Sequence, residues 1–184
     1  MSKPGICDYL TGLYAMWAAL MGVYHAQKTG EGDVIDVSQY ESCLRVQGYG
    51  PLMYTTTGEQ LKRTGNKEAT YAGIDVFECK DGNYCVVQVS GRPAAKAIAA
   101  LLGLDDEEHF IEGRPTLNGT PQGDRLDGAI KAFCLERTPD EVETQLKAIG
   151  VACAPINNYE MLMSNPHVIC LLYTSDAADD LIGV

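Results

Sequence analysis

Residues 9–28, YLTGLYAMWAALMGVYHAQK, contain no proline and no charged side chain before Lys28. The apolar positions go nearly all the way round a helical wheel. That pattern predicts a helix buried on most sides, not a half-exposed one. Gly12, Ala15, Ala19 and Gly22 recur along it at three- and four-residue spacing, a stripe of small residues that another backbone could approach closely. Thr29-Gly30-Glu31-Gly32 supplies a glycine stop. Residues 33–37, DVIDV, are rich in β-branched side chains and predict a short strand. Ser38 and Glu41 stand as S-x-x-E before another apolar run, which predicts a capping box and a second helix. Helix, turn, strand, helix over residues 8–48 is the alternation of an α/β domain.

Residues 50–73 break the periodicity with Gly50-Pro51, a threonine run and Gly58, and read as an irregular linker. Two β-rich runs follow, 74–79 and 84–89, around Lys80-Asp81-Gly82-Asn83. Asp-Gly between such runs predicts a hairpin. A helix is expected over 93–102 with its stop at Gly103, a loop over 113–123, and a helix over 124–136. Thr138-Pro139-Asp140-Glu141 combines a cap, a first-turn proline and a glutamate at the third position, which starts a helix running to about Ile149. Residues 151–156 read as a strand, and Asn157 or Asn158 can cap a last helix before Asn165-Pro166.

Composition narrows the classes. The chain has 184 residues, 46% hydrophobic and 21% charged, with a net charge of −11, so it is one soluble domain or a piece of a larger one. An acidic chain without a basic block cannot neutralise a phosphate backbone, which argues against nucleic acid as a partner. No unbroken apolar run reaches the ~18 to 20 residues of a bilayer span, because Thr11 interrupts the long helix and His25, Gln27 and Lys28 end it. No membrane partner and no cleavable leader are therefore expected. The seven cysteines are odd in number and form no CxxC pair, and the three histidines are isolated. Neither disulfides nor a metal site are expected, and a reducing cytoplasm fits.

Asp8 opens the long helix. A carboxylate there meets unpaired backbone N–H groups and the positive end of the helix dipole, so it reads as an N-cap. The same placement keeps it charged and oriented, as a nucleophile must be, and one residue can do both. Lys62, Arg63 and Lys67 could meet a phosphate or carboxylate, or simply be solvated. Ser90-Gly91-Arg92 follows the hairpin and could face an active site. Tyr71-Ala72-Gly73 could border an acyl pocket or pack. Cys7 reads as a small filler beside Asp8.

The stretch ICDYLTGLYAMWAALMGVYHAQKTGEGDVIDVSQYES resembles the core signature of the family III CoA-transferases: an Asp opening a small-residue helix, a TGxG turn, then IDVSxxE. YAGIDVFECKDGNY, GVACAPI and SNPHV resemble that family's small domain. The resemblance covers residues 6–168 and is nearest to carnitine CoA-transferases. It implies an α/β protein: a fragment of a Rossmann-like large domain over 1–49, a linker over 50–73, and a linked α+β small domain over 74–169. It implies an interlocked homodimer for the whole protein. It places the nucleophilic aspartate on Asp8, which forms an acyl anhydride and then an aspartyl-CoA thioester. CoA and acyl-CoA are substrates alongside a small carboxylate. No permanently bound cofactor and no metal are implied. The family's CoA-binding residues lie largely before Asp8, so none is carried over. Within the same fold, an α-methylacyl-CoA racemase uses an aspartate at this position. A non-catalytic binding or assembly module is the reading from another class.

Residues 170–180, CLLYTSDAADD, resemble the translation of a transposase adaptor used in sequencing libraries. Residues 170–184 are therefore expected to be a non-native tail, and the chain to be a truncated fragment.

Overall fold

The computed structural model describes residues 5–171. The chain divides between Lys62 and Arg63 into two compact units.

In the first unit, α1 (Ile6–Thr29) ends at Gly30, whose N–H donates to the Ala26 carbonyl. Its neighbour is α2 (Gln39–Arg45), started by Ser38, whose Oγ accepts from the Glu41 N–H at 3.4 Å. The sequence predicts that α1 is buried. None of its residues is: Trp17 is 65% exposed and Leu20 70%. The all-round apolar surface needs cover on several sides, and within this unit α2 packs against one of them. Length and a mean hydropathy of 1.3 over 18 residues would let α1 cross a bilayer.

The strand expected over 33–37 does not form. Residues 31–38 have no regular structure, and Val34 is 93% exposed. A strand is stabilised by its ladder partner, and no described strand pairs with this one. The irregular structure expected over 50–73 also needs correction at its start. Residues 50–57 form α3 (Gly50–Thr57), with Pro51 in the first turn, where its missing N–H costs nothing, and Gly58 as the C-cap.

The second unit holds an antiparallel sheet, β1 (Ile74–Glu78), β2 (Tyr84–Gln88) and β3 (Ala152–Pro155), in the order β1-β2-β3. Phe77 pairs with Cys85 and Val87 with Cys153. Alternation along β2 sends Cys85 and Val87 into the core and Tyr84, Val86 and Gln88 outward. α6 (Pro121–Leu135) packs against β1, and α7 (Pro139–Ala148) against β2 and β3. Ile130, Val142 and Leu146 fill the space between, each no more than 1% exposed. α4 (Gly91–Leu101) packs with the short α5 (Glu108–Ile111), an element the sequence reading missed.

α6 begins three residues before its expected start, inside the expected loop. Thr120 Oγ1 accepts from the Gly123 N–H at 3.1 Å, and Pro121 takes the first turn. α7 carries both halves of its capping box: Glu141 N–H to Thr138 Oγ1 at 3.4 Å, and Thr138 N–H to Glu141 Oε2 at 2.8 Å. Asn158, not Asn157, caps α8 (Tyr159–Ser164). A helical turn from Pro166 leads to residue 171, and the rest of the tail read as adaptor-derived lies outside the described residues.

Candidate functional site

Asp8 is not the N-cap that the sequence predicts. The helix starts three residues before the expected Tyr9, at Ile6, with Gly5 as the cap and no side-chain cap bond. Asp8 is the third residue of the first turn. There its charge still meets the positive end of the helix. Its Oδ1 accepts from Gln39 Nε2 at 2.6 Å. Its Oδ2 lies over Gly5, so that any side chain at Gly5 would collide with it. The carboxylate is exposed. Gln39 is brought there by α2: Ser38 caps that helix, and the next residue projects from its first turn toward the start of α1.

Cys43, one turn further along α2, has its thiol held above the usual range, first by its hydrogen bond with Cys7, then by burial and the negative charge of Asp8. Asp8, Gln39, Cys7 and Cys43 thus gather where the two helices meet. Gln39 was missed in the sequence. The signal that could have found it is the S-x-x-E cap, which fixes the residue after Ser38 as the first of the helix.

The basic patch does not act together. Lys67 pairs with Asp127 on α6 at 2.5 Å, and the other oxygen of Asp127 accepts from the Gly73 N–H at 2.7 Å. This ties the start of the second unit to its core, a structural role. Lys62 and Arg63 are exposed on either side of the division between units.

The second unit contains a cavity of about 420 Å³. It joins two segments that the sequence singled out separately: Tyr71 and Ala72 on one side, and Ser90, Gly91 and Arg92 on the other. Ile74, Val89 and Leu126 supply apolar walls. Gly113, Arg114, Pro115 and Thr116 close it, and sequence reasoning passed over these as loop. A signal was present: Gly-Arg-Pro occurs twice, at 91–93 and at 113–115. Both glycines have positive φ, 81° and 64°. At Gly113 a β-carbon would stand 2.7 Å from the Arg92 carbonyl oxygen, so only glycine lets this loop lie against α4.

Arg92 Nε donates to the Glu112 carbonyl at 2.6 Å. Arg114 Nε donates to Glu112 Oε2 at 2.5 Å and its Nη2 to Glu108 Oε1 at 3.4 Å. The Arg114 hydrogen bond and charge hold the Glu112 carboxyl below its ordinary range. Thr116 Oγ1 is buried and bonded to His109 Nε2 at 2.9 Å.

Four other cysteines meet in the core. Cys79 and Cys85 sulfurs lie 3.7 Å apart, and Cys85 and Cys134 sulfurs 3.8 Å, with Cys153 adjoining. All are free. Burial, followed by the hydrogen bond with Cys85, pushes the Cys79 thiol up to about 12. Among the described residues no group of three or more His, Cys, Asp or Glu could hold a metal ion.

Comparison with known proteins places these features. The family model described as CoA-transferase family III matches residues 1–179, a range that includes part of the tail read as adaptor-derived. Bile acid CoA-transferase BaiK from Clostridium scindens is 32% identical over 172 residues, which are 90% of this chain and 39% of that protein. The chain thus spans about two fifths of the length of this curated relative. A crystal structure of a CaiB/BaiF family protein from Brucella suis superposes with a TM-score of 0.68 at 24% identity, over 92% of this chain and 45% of that one. A crystal structure of Rv3272 from Mycobacterium tuberculosis superposes with a TM-score of 0.68 at 18% identity, over 91% of this chain and 43% of that one. At those identities the likeness establishes the fold.

Proposed function

The chain belongs to CoA-transferase family III, and on that premise we propose that it is the segment of a longer enzyme that moves CoA from an acyl-CoA donor to a small carboxylic acid, with Asp8 carrying the intermediates. The observation that carries this reading is the Asp8 carboxylate. It is exposed in the first turn of α1, with one oxygen held by Gln39 and the other turned to the helix end.

Asp8 Oδ2 attacks the thioester carbonyl carbon. A C–O bond forms, the C–S bond breaks, and CoA leaves as thiolate, giving a mixed anhydride. The thiolate attacks the Asp8 carbonyl carbon, the donor acid leaves as carboxylate, and an aspartyl-CoA thioester remains. The acceptor carboxylate attacks that thioester and re-forms an anhydride and a thiolate. The thiolate then takes the acceptor acyl group and frees Asp8. No net proton, electron or metal is needed. The Gln39 amide stays on Oδ1 as that atom becomes a carbonyl oxygen, and donates to the charge that develops on it in the two steps where the Asp8 carbonyl carbon is attacked. Both intermediates hydrolyse readily, so the whole enzyme must exclude water there.

We take α1 as a core helix of the whole enzyme, because the family match runs through it and on into the second unit without a break. A cytoplasmic homodimer completes the reading. The resemblance supports the dimer, and neighbouring thiols held as free cysteines support a reducing compartment.

The test uses the longer parent enzyme, supplied with acyl-CoA and labelled carboxylic acids. Carnitine and a bile acid are the two acceptors to compare, the first from the sequence resemblance and the second from what the Clostridium relative acts on. Transfer of label into acyl-CoA is expected, and loss of nearly all of it in Asp8→Asn with the fold intact. Exchange of the α-proton with solvent deuterium in place of transfer would assign the racemase reaction instead.

A further inference from the structure

We propose that the cavity between the two Gly-Arg-Pro tripeptides is a binding site for a monocarboxylic acid with an uncharged, apolar body, anchored by Arg92.

The volume, about 420 Å³, lies within the range of roughly 300–1,000 Å³ typical of small-ligand pockets, which are apolar with a few placed polar groups. The apolar part is Ile74, Val89, Ala95 and Leu126. Thr116, the buried polar side chain of the lining, already has its partner in His109, so the interior itself does not call for a polar ligand. Charge is confined to the two arginines.

Those arginines are not equivalent. Arg114 is neutralised by Glu112 and Glu108. Arg92 directs its Nε to a backbone carbonyl, and no ion pair to it is formed among the described residues. Its Nη groups are the donors left for a ligand, and a guanidinium edge matches a carboxylate in geometry. Arg92, Arg114 and the neighbouring Lys96 stand against Glu112 and Glu108, an excess of roughly one positive charge around the lining. That fits a monoanion better than a phosphate with two charges. It also disfavours a trimethylammonium body, which seeks an aromatic cage; Tyr71 is the one aromatic side chain in the lining.

Gly113 makes the arrangement possible. It presses the second tripeptide onto α4 and sets Arg114 and Glu112 beside Arg92. Identifying the bound acid with the acceptor of CoA transfer rests on the function proposed above, whereas binding itself does not.

The test titrates the 184-residue chain with hexanoate, hexylamine, carnitine and inorganic phosphate, read by amide chemical shifts and calorimetry. Hexanoate should shift the amides of Gly91, Gly113 and Thr116, and the other three should not compete. Arg92→Gln should weaken hexanoate by about tenfold or more, the effect of losing a charged hydrogen-bonding partner. Arg92→Lys should retain part of the affinity. Ala95→Leu, which fills the apolar wall while leaving Arg92 in place, should abolish binding with the far-ultraviolet circular dichroism unchanged. Hexanoate affinity indifferent to both Arg92→Gln and Ala95→Leu would overturn the proposal, and so would equal binding of phosphate or hexylamine, or no saturable hexanoate binding. Hexanoate binding in a chain whose parent enzyme transfers no CoA would leave this site standing and remove the proposed function.

Discussion

Asp8 and Gln39 lie 31 positions apart and meet through one hydrogen bond of 2.6 Å. Asp8 stands out in the sequence as a candidate, through its place at the start of an apolar helix and through the family resemblance. Gln39 does not, because its reach depends on the angle at which α2 crosses α1, which no local pattern encodes. The cap assignment of Asp8 failed by three positions, since the cap is Gly5. Gly5 can serve as a cap without a side chain, so Ile6 and Cys7 join the helix ahead of its first acidic residue. The cysteines divide along similar lines. Spacing was enough to expect neither CxxC chemistry nor paired disulfides, but not to foresee that four of the seven converge in the core, since β1, β2, α6 and β3 bring them there from distant positions. Thiols react as thiolates, and burial opposes ionisation. In the native chain Cys7 and Cys170, both exposed, are expected to take up a thiol reagent promptly, and Cys79, Cys85, Cys134 and Cys153 only after denaturant is added. Intact and peptide mass spectrometry reads this. Labelling of any of those four at the rate of Cys170 would contradict the packing described.

At the scale of elements, helices with explicit caps were read well, and segments that depend on a partner were not. The Thr138–Glu141 box stands as expected, with both hydrogen bonds made. Thr120-Pro121 offers the same cap-and-proline start, but the Gly, Pro and Asn around it read as loop and hid it. Residues 33–37 have strand composition and no ladder, so local propensity alone did not make a strand. The capping box gives a pH-dependent prediction. Hydrogen bonds from the Thr138 backbone and hydroxyl hold the Glu141 carboxyl below its ordinary 4.5. A carboxyl lowered on folding stabilises the fold above its unfolded value, and this stabilisation is lost as pH falls through the lower, folded value. Wild type should therefore melt above Glu141→Gln at neutral pH, and the gap should close below about pH 4.5. Thr138→Ala should cost about 1 kcal/mol through the lost cap. A wild-type to Glu141→Gln gap that stays constant through the acid range would mean that the carboxylate is not the stabilising partner.

For the whole molecule, the α+β character of the second unit was legible from alternating patterns and from the hairpin signal at Asp81-Gly82, whereas the α/β class rests on the family resemblance, because the strand expected over 33–37 does not form. The exposure of α1 was not legible. A wheel that is apolar on every side demands burial, but a sequence pattern does not say which chain segments provide it, and here α2 covers one side. The cavity of the second unit was half legible. Tyr71 and Arg92 each stood out, but the loop that closes the space depends on Gly113 lying against α4, a close approach known only from the folded chain. The match to CoA-transferase family III runs through both units, and the function proposed for the longer enzyme rests on whether Asp8 takes the acyl group. The most direct measurement incubates the longer parent enzyme with acyl-CoA, adds hydroxylamine, and maps the modified residue by peptide mass spectrometry. A hydroxamate on Asp8 is expected, present only when acyl-CoA has been supplied and absent in Asp8→Asn. A hydroxamate on another residue, or wild-type turnover by Asp8→Asn, would contradict it.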